Sequence, residues 1–245
     1  MTAPRLPDFE VRVDAAKVAS ARRWNRGLVG GAVVMVLLAA AAATWLASAG
    51  RGSWFTVALV ALLGALCVGV VVAARARTRM LRLLTGGGGV LRADDRGIRL
   101  PGLTGIGWDD LVFVCVTDDR ARTRQLGRVP VVGWAGRAAI RAGSGTILCE
   151  LGVRDGEALR AATADAAAAS RVTLYPRWPD GARRATVPLL LDAVYDELDT
   201  QAVVTMLFAQ AETHGVPRAL FAQVPPAIRW KGPYLDDVIA GGLRR

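Results

Sequence analysis

The chain has 245 residues, 53% of them hydrophobic, and carries a formal net charge of +10 with a single histidine and three cysteines. The lone histidine and three scattered cysteines lack the paired ligand spacing of a structural zinc site. Ser144 and Ser170, the serines beyond residue 75, sit in no nucleophile-elbow sequence, which argues against a serine-hydrolase triad.

Two uncharged apolar runs, Leu28–Ala49 and Trp54–Ala74, are joined by only Gly50-Arg51-Gly52-Ser53. A hydrocarbon core of about 30 Å needs roughly 20 apolar residues at helical rise, so residues 28–74 read as a transmembrane helical hairpin. Thr44, Ser48, Thr56 and Cys67 are the polar content of these runs, and neither holds an ionisable group. That favours an anchor over an ion pathway. Ala47-Ser48-Ala49 has the form of a signal cleavage site, but the long segment before it and the second run after it favour retention. Small residues recur every four positions as Ala61, Ala65, Gly69 and Ala73, and as Ala39, Ala43 and Ala47. Such a ridge lets helix backbones approach, and the short loop favours its use within the hairpin over use by a partner helix.

Lys17, Arg22, Arg23 and Arg26 precede the first run, and Arg75, Arg77, Arg79 and Arg82 follow the second, against Arg51 alone in the loop. By the positive-inside rule both termini are cytoplasmic in a cell (inner) membrane, and Trp24, Trp45 and Trp54 fall where interfacial aromatics belong. Residues 1–26 contribute +3, Arg75–Arg82 +4, Arg51 +1, and all the rest only +2. A nucleic-acid binder would concentrate charge on its folded domain, and Trp108, Trp134 and Trp178 are not interleaved with a basic stripe, so no nucleic-acid partner is expected. Membrane lipids are the natural partner. The eight flanking basic residues are candidate anionic-lipid contacts at about 1 kcal/mol each, unless they serve topology alone.

Residues 1–27 then form a cytoplasmic basic segment and 75–89 a basic juxtamembrane segment ending in the Gly86–Gly89 linker. The glycine run lacks the Gly-Lys-Ser/Thr ending of a phosphate loop. Val90–Leu100 reads as a hairpin around Asp94-Asp95-Arg96-Gly97, and Ile106–Leu111 leads into a strand over Val112–Val116. Further strands are expected at Val129–Gly133, Arg137–Arg141 and Thr146–Val153, a spacing that suggests an antiparallel sandwich or small barrel. The segments Arg96-Gly97-Ile98-Arg99-Leu100 and Ile106-Gly107-Trp108-Asp109-Asp110-Leu111 resemble the strand–turn–Trp element of bacterial membrane proteins that carry a PH-like (pleckstrin-homology-like) domain behind a two-helix hairpin. Over residues 86–175 the resemblance implies a bent antiparallel barrel capped by a helix. It implies no catalytic motif and transfers no residue role.

Asp155 is positioned to cap a helix over Ala158–Ala169, and Asp199 one over Thr200–His214 with Val203, Met206, Leu207 and Gln210 on its apolar face. His214-Gly215 with Pro217 beyond ends the latter. Arg171–Tyr175 and Thr186–Leu191 read as strands, although Leu189–Leu198 fits a helix equally. The α+β domain would span 90–217, leaving 218–245, with Trp230, Tyr234 and Leu243, as a disordered tail or docking peptide.

Candidate chemistry is sparse. The doublets Asp94-Asp95, Asp109-Asp110, Asp118-Asp119 and Asp236-Asp237 lack EF-hand spacing and suit turns. His214 suits a helix end, and Cys67, Cys115 and Cys149 suit buried small hydrophobes. No catalytic, metal or cofactor residue emerges. The chain reads as an α+β membrane protein without catalysis, displaying a PH-like interaction domain to a protein partner at the membrane. Alternatives are a tethered hydrolase or transferase using Asp109, Asp110 or Asp119, and an accessory subunit of a transporter or secretion complex.

Overall fold

Asp14 starts the first long helix. Its carboxylate accepts hydrogen bonds from the backbone N–H groups of Ala16 and Lys17 at 2.8 and 3.0 Å, satisfying two donors that a helix start leaves open. In the computed structural model, which describes residues 8–50, 53–85 and 89–236, helix α1 runs Ala15–Ser48 and α2 Trp54–Thr85. Both extend past the expected spans, α1 at its start and α2 at its end. At helical rise they are about 50 Å long, well beyond a hydrocarbon core of about 30 Å. Both are long and apolar enough to cross a membrane, and only 6% and 11% of their most apolar stretches are buried. A core helix of a soluble protein would have those stretches covered.

The seam between α1 and α2 follows a seven-residue period: Asn25, Ala32 and Ala39 are buried on one helix, Cys67, Ala74 and Leu81 on the other. That period keeps one stripe facing the partner in left-handed packing. The expected ridge is therefore mostly displaced. Ala61, Ala65 and Gly69 point outward and Ala73 is half-buried, while Ala39 alone of the α1 set is buried. Four-residue spacing drifts off a seven-residue seam within two turns.

Beyond the apolar stretch the two helices become part of the globular unit. Val18, Ala21, Leu81 and Leu84 join its main core. The Asn25 amide donates to Ala142 O at 2.8 Å, Lys17 Nζ to Tyr195 O at 2.6 Å, and Asp14 N to Val194 O at 2.8 Å. The chain before α1 and the chain after α2 thus fold together at one end of the hairpin.

The globular unit holds two sheets. Strands β1 (Phe9–Arg12), β2 (Val90–Asp94), β3 (Gly97–Arg99) and β4 (Ile106–Gly107) form an antiparallel sheet in chain order. Asp94 shapes the β2–β3 turn by accepting from Arg96 N and Gly97 N. Gly97 must be glycine, because a Cβ there would stand 2.1 Å from the Ile106 carbonyl oxygen. A 3-10 turn at Trp108–Asp110 passes the chain to β5 (Leu111–Asp118) of the second sheet. Helices α3 (Arg120–Leu126) and α4 (Pro130–Arg141) precede β6 (Ile147–Val153). Then come α5 (Gly156–Ala162), α6 (Ala166–Ala169), β7 (Thr173–Arg177) and β8 (Arg183–Leu190). The remaining elements are α7 (Leu191–Val194), α8 (Glu197–Thr213), β9 (Arg218–Phe221) and α9 (Val224–Leu235). The second sheet has order β7-β8-β6-β5-β9, antiparallel except for the parallel β5–β9 pair.

Several expectations are corrected here. The α+β class holds, but neither sheet closes into a barrel. Val129–Gly133 and Arg137–Arg141 are not strands; they fall in and beside α4, which Pro130 opens at its first turn. Both sides of β6 are occupied, by β5 and β8, so a strand there would have no vacant edge beside it. The helix expected over Ala158–Ala169 is broken: the Thr163 hydroxyl donates to Leu159 O as α5 ends, and Asp165 caps α6. Asp196, not Asp199, caps α8, accepting from Asp199 N at 2.7 Å. Residues 218–235 are no disordered tail, because β9 pairs with β5 and α9 packs against the sheet. Most of the glycine linker and Leu243 lie outside the described residues.

Candidate functional site

The eight flanking basic residues divide into two kinds. Arg23, Arg26, Arg75, Arg79 and Arg82 are exposed, so they are open to a ligand. Lys17, Arg22 and Arg77 are half-buried; Lys17 is bound to the Tyr195 carbonyl and Arg22 to the Thr85 hydroxyl at 2.8 Å. Lys17 therefore fastens the start of α1 to the fold, and Arg22 ties α1 to the end of α2.

A groove of about 650 Å³ opens on the globular unit where several aromatic and basic side chains meet. Its walls include Trp108, Trp178, Arg184, Arg154, His214 and Tyr234. Trp108 is anchored by its indole N–H, which donates to Asp94 O at 2.8 Å. His214 stacks on it with centroids 5.1 Å apart and planes 3° from parallel. The imidazole is set there by the end of α8, where Gly215 N bonds Glu212 O and Val216 N bonds Ala211 O with Gly215 at φ +67°. These two bonds make a Schellman motif.

On the other wall, the Arg184 guanidinium lies 4.8 Å above the Trp178 ring and donates to Asp180 Oδ2 at 3.1 Å. Its side chain is 8% exposed, and its buried Nε has no hydrogen-bond partner. Burial holds this guanidinium below its ordinary pKa; Asp180 opposes that and Arg154 adds to it by like-charge repulsion. Two guanidiniums and an imidazole between aromatic faces are suited to an anionic group attached to a flat or apolar body.

A second cleft, of about 560 Å³, lies where α1, α3, α4 and α8 meet. Its acidic residues already have structural tasks. Asp192 accepts from Thr146 N, Thr146 Oγ1 and Ile147 N, Asp196 caps α8, and Glu197 pairs with Arg120 at 3.1 Å. Arg120 also grips Asp118 through both carboxylate oxygens, which holds that carboxyl below its ordinary pKa.

The acidic doublets do not assemble. Asp109 lines the aromatic groove, whereas Asp119 lies past the far end of β5, about 25 Å along an eight-residue strand. Among the described residues no group of three His, Cys, Asp or Glu side chains could hold a metal ion. Cys115 and Cys149 are fully buried on β5 and β6, and His214 is the C-cap residue of α8. The groove was not readable from spacing, because its residues come from five separated segments. No protein-family model matches this chain, and no curated protein or solved structure shows significant similarity to it.

Proposed function

We propose that this protein is a membrane-anchored interaction module: a two-helix hairpin in the cytoplasmic membrane that displays an α+β unit to the cytoplasm, where its aromatic groove takes an anionic segment of a protein partner. One observation carries the anchoring. The apolar stretches of α1 and α2 stay uncovered, while the continuations of the same helices are built into the globular core. The excess of basic residues at that end supports the cytoplasmic side. Tethering raises the effective concentration of the groove towards partners in the same membrane, so weak contacts suffice. A non-catalytic role is favoured by the separation of Asp109 from Asp119, by the structural contacts that occupy the carboxylates of the second cleft, and by a groove offering mainly cations and aromatic faces. We relate the β region to PH-like domains through the β2–β3 hairpin and the Trp108 turn, with the strands opened into two sheets.

A second reading, an accessory subunit of a membrane complex, is favoured by the outward position of Ala61, Ala65 and Gly69, which leaves a smooth ridge for a partner helix. One experiment separates the readings. Full-length protein is cross-linked in intact cells, and partners are recovered from carbonate-washed membranes for wild type, Arg154→Glu and Ala65→Leu/Gly69→Leu. Loss of a stoichiometric partner with Arg154→Glu supports the groove, and its loss with the ridge variant supports the accessory subunit. Release of the wild-type chain by carbonate would remove the anchor from both.

A further inference from the structure

Strands β5 and β6 are hydrogen-bonded antiparallel neighbours, a pair that two residues can join. Here residues 119–146 intervene and fold as α3 and α4. The excursion returns beside the start of the hairpin. The Asn25 amide donates to Ala142 O, Gly143 packs on Ala21 and Leu81, and the Arg141 guanidinium lies 5.2 Å from the Trp24 ring. Trp24 is four residues, about 6 Å of helix, before the apolar stretch that begins at Leu28. The end of α4 is thus held at the level where the hairpin enters the hydrocarbon.

The surface of this excursion suits that place. From Arg120 to Arg141 there are six arginines and no acidic residue. Five of them, Arg122, Arg124, Arg128, Arg137 and Arg141, are exposed. Interleaved with these are large apolar side chains facing solvent: Val129, Trp134 and Ile140, at 47%, 66% and 42% exposure. The two helices are fixed to each other, because Arg137 Nη1 donates to Gly127 O at 3.0 Å and Gly133 packs so closely on Gly127 that a Cβ would stand 2.2 Å from its carbonyl oxygen. Arginine with tryptophan and aliphatic residues on a helical surface is the pattern of elements that lie in a bilayer interface.

We propose that α3 and α4 form an in-plane membrane-binding element, with Trp134 seated among headgroups and the exposed arginines on anionic phospholipids, so that the globular unit lies against the leaflet. This rests on the anchoring reading above. Its effect would be to fix the orientation of the groove relative to the membrane and to make that orientation depend on lipid charge.

The test uses the full chain with Cys67→Ala, carrying an environment-sensitive fluorophore on Ala135→Cys in α4, and separately on Thr213→Cys at the far end of α8. Each is reconstituted into phosphatidylcholine vesicles with or without phosphatidylglycerol, containing lipids with a shallow nitroxide quencher. The expected result is quenching at position 135 but not at 213 in anionic vesicles, lost when the exposed Arg122, Arg124 and Arg128 are all changed to Gln. Equal quenching at the two positions, or quenching at 135 that ignores lipid charge, would overturn the proposal. Failure of the chain to float with any vesicle would instead overturn the anchor.

Discussion

The two faces of the five-stranded sheet are closed in different ways. On one face Val114, Val116, Cys149, Leu151, Val187 and Leu189 enter a large core shared with the four-stranded sheet, α7, α8 and the ends of the hairpin helices. On the other, Phe113, Cys115, Ala227 and Leu235 form a small cluster under α9, with Trp230 and Tyr234 packed at its side. Register explains the division, since Cys115 pairs with Glu150 and Phe113 with Gly152 on the α9 face. Gly152 is required there, because a Cβ would meet the Phe113 ring at 2.4 Å. The first face is held by apolar volume. The second adds one charged lock, Lys231 Nζ to both Glu150 oxygens at 2.5 and 2.6 Å, with side chains only 13% and 11% exposed. A face with few apolar residues depends more heavily on each specific contact.

The largest expected effect comes from breaking that lock. Lys231→Met leaves the Glu150 carboxylate buried without its cation, a change that costs about 3–5 kcal/mol in comparable sites. Amide hydrogen exchange should show residues 224–235 losing protection while β6 and β8 keep theirs, since opening α9 lets water reach Glu150. The double change Glu150→Leu/Lys231→Met should restore protection, because an apolar pair removes the desolvation cost along with the attraction. Loss of protection across the whole sheet in the single variant would show that the two faces are not separate units.

Leu151→Ala probes the other face. Its side chain is fully buried in the main core, and the transfer and cavity terms together cost about 2–5 kcal/mol. Here the loss should appear as one cooperative drop in the thermal midpoint, with α9 and the hairpin-end contacts failing together. Leu66→Ala, on the exposed apolar surface of α2, is the control and should leave the midpoint of the globular unit in place.

How much of this was legible follows the same division between local and distant causes. The hairpin could be read because about twenty uncharged residues in a row carry their own signal. The β2–β3 turn and the end of α8 could be read because Asp94, Gly97 and Gly215 do their work within a few residues. β1 could not: four residues become a strand only because β2, some eighty positions later, lies beside them. α9 was obscured by Pro225, Pro226 and Pro233, although proline is tolerated in a first turn and two of these occupy one. For α4, Val131 and Val132 favour a strand by propensity, and Pro130, suited to the first turn of a helix, is the local cue against it. The groove had no local cue, because Trp108, Arg184 and His214 meet only through the tertiary fold.

Cys115 reports which of the two covers is in place. Burial under α9 and the nearby Glu150 carboxylate raise its thiol from an ordinary value near 9 to about 11, with Lys231 opposing. The thiolate is the reactive form, so at pH 8 alkylation of the folded protein should run at roughly one-hundredth of the rate of the unfolded chain from ionisation alone, and slower still through restricted access. The sign for stability follows. Between about pH 9 and 11 the folded state keeps a proton that the unfolded chain has lost, so this group stabilises fully below pH 9 and its contribution declines as pH rises to 11. In Lys231→Met the outcomes divide. If α9 leaves the sheet, the thiol returns towards its ordinary pKa and labels quickly at pH 8. If α9 stays, loss of the opposing cation pushes the thiol higher and labelling slows further, which would place the hold of α9 in its aromatic contacts rather than in the ion pair.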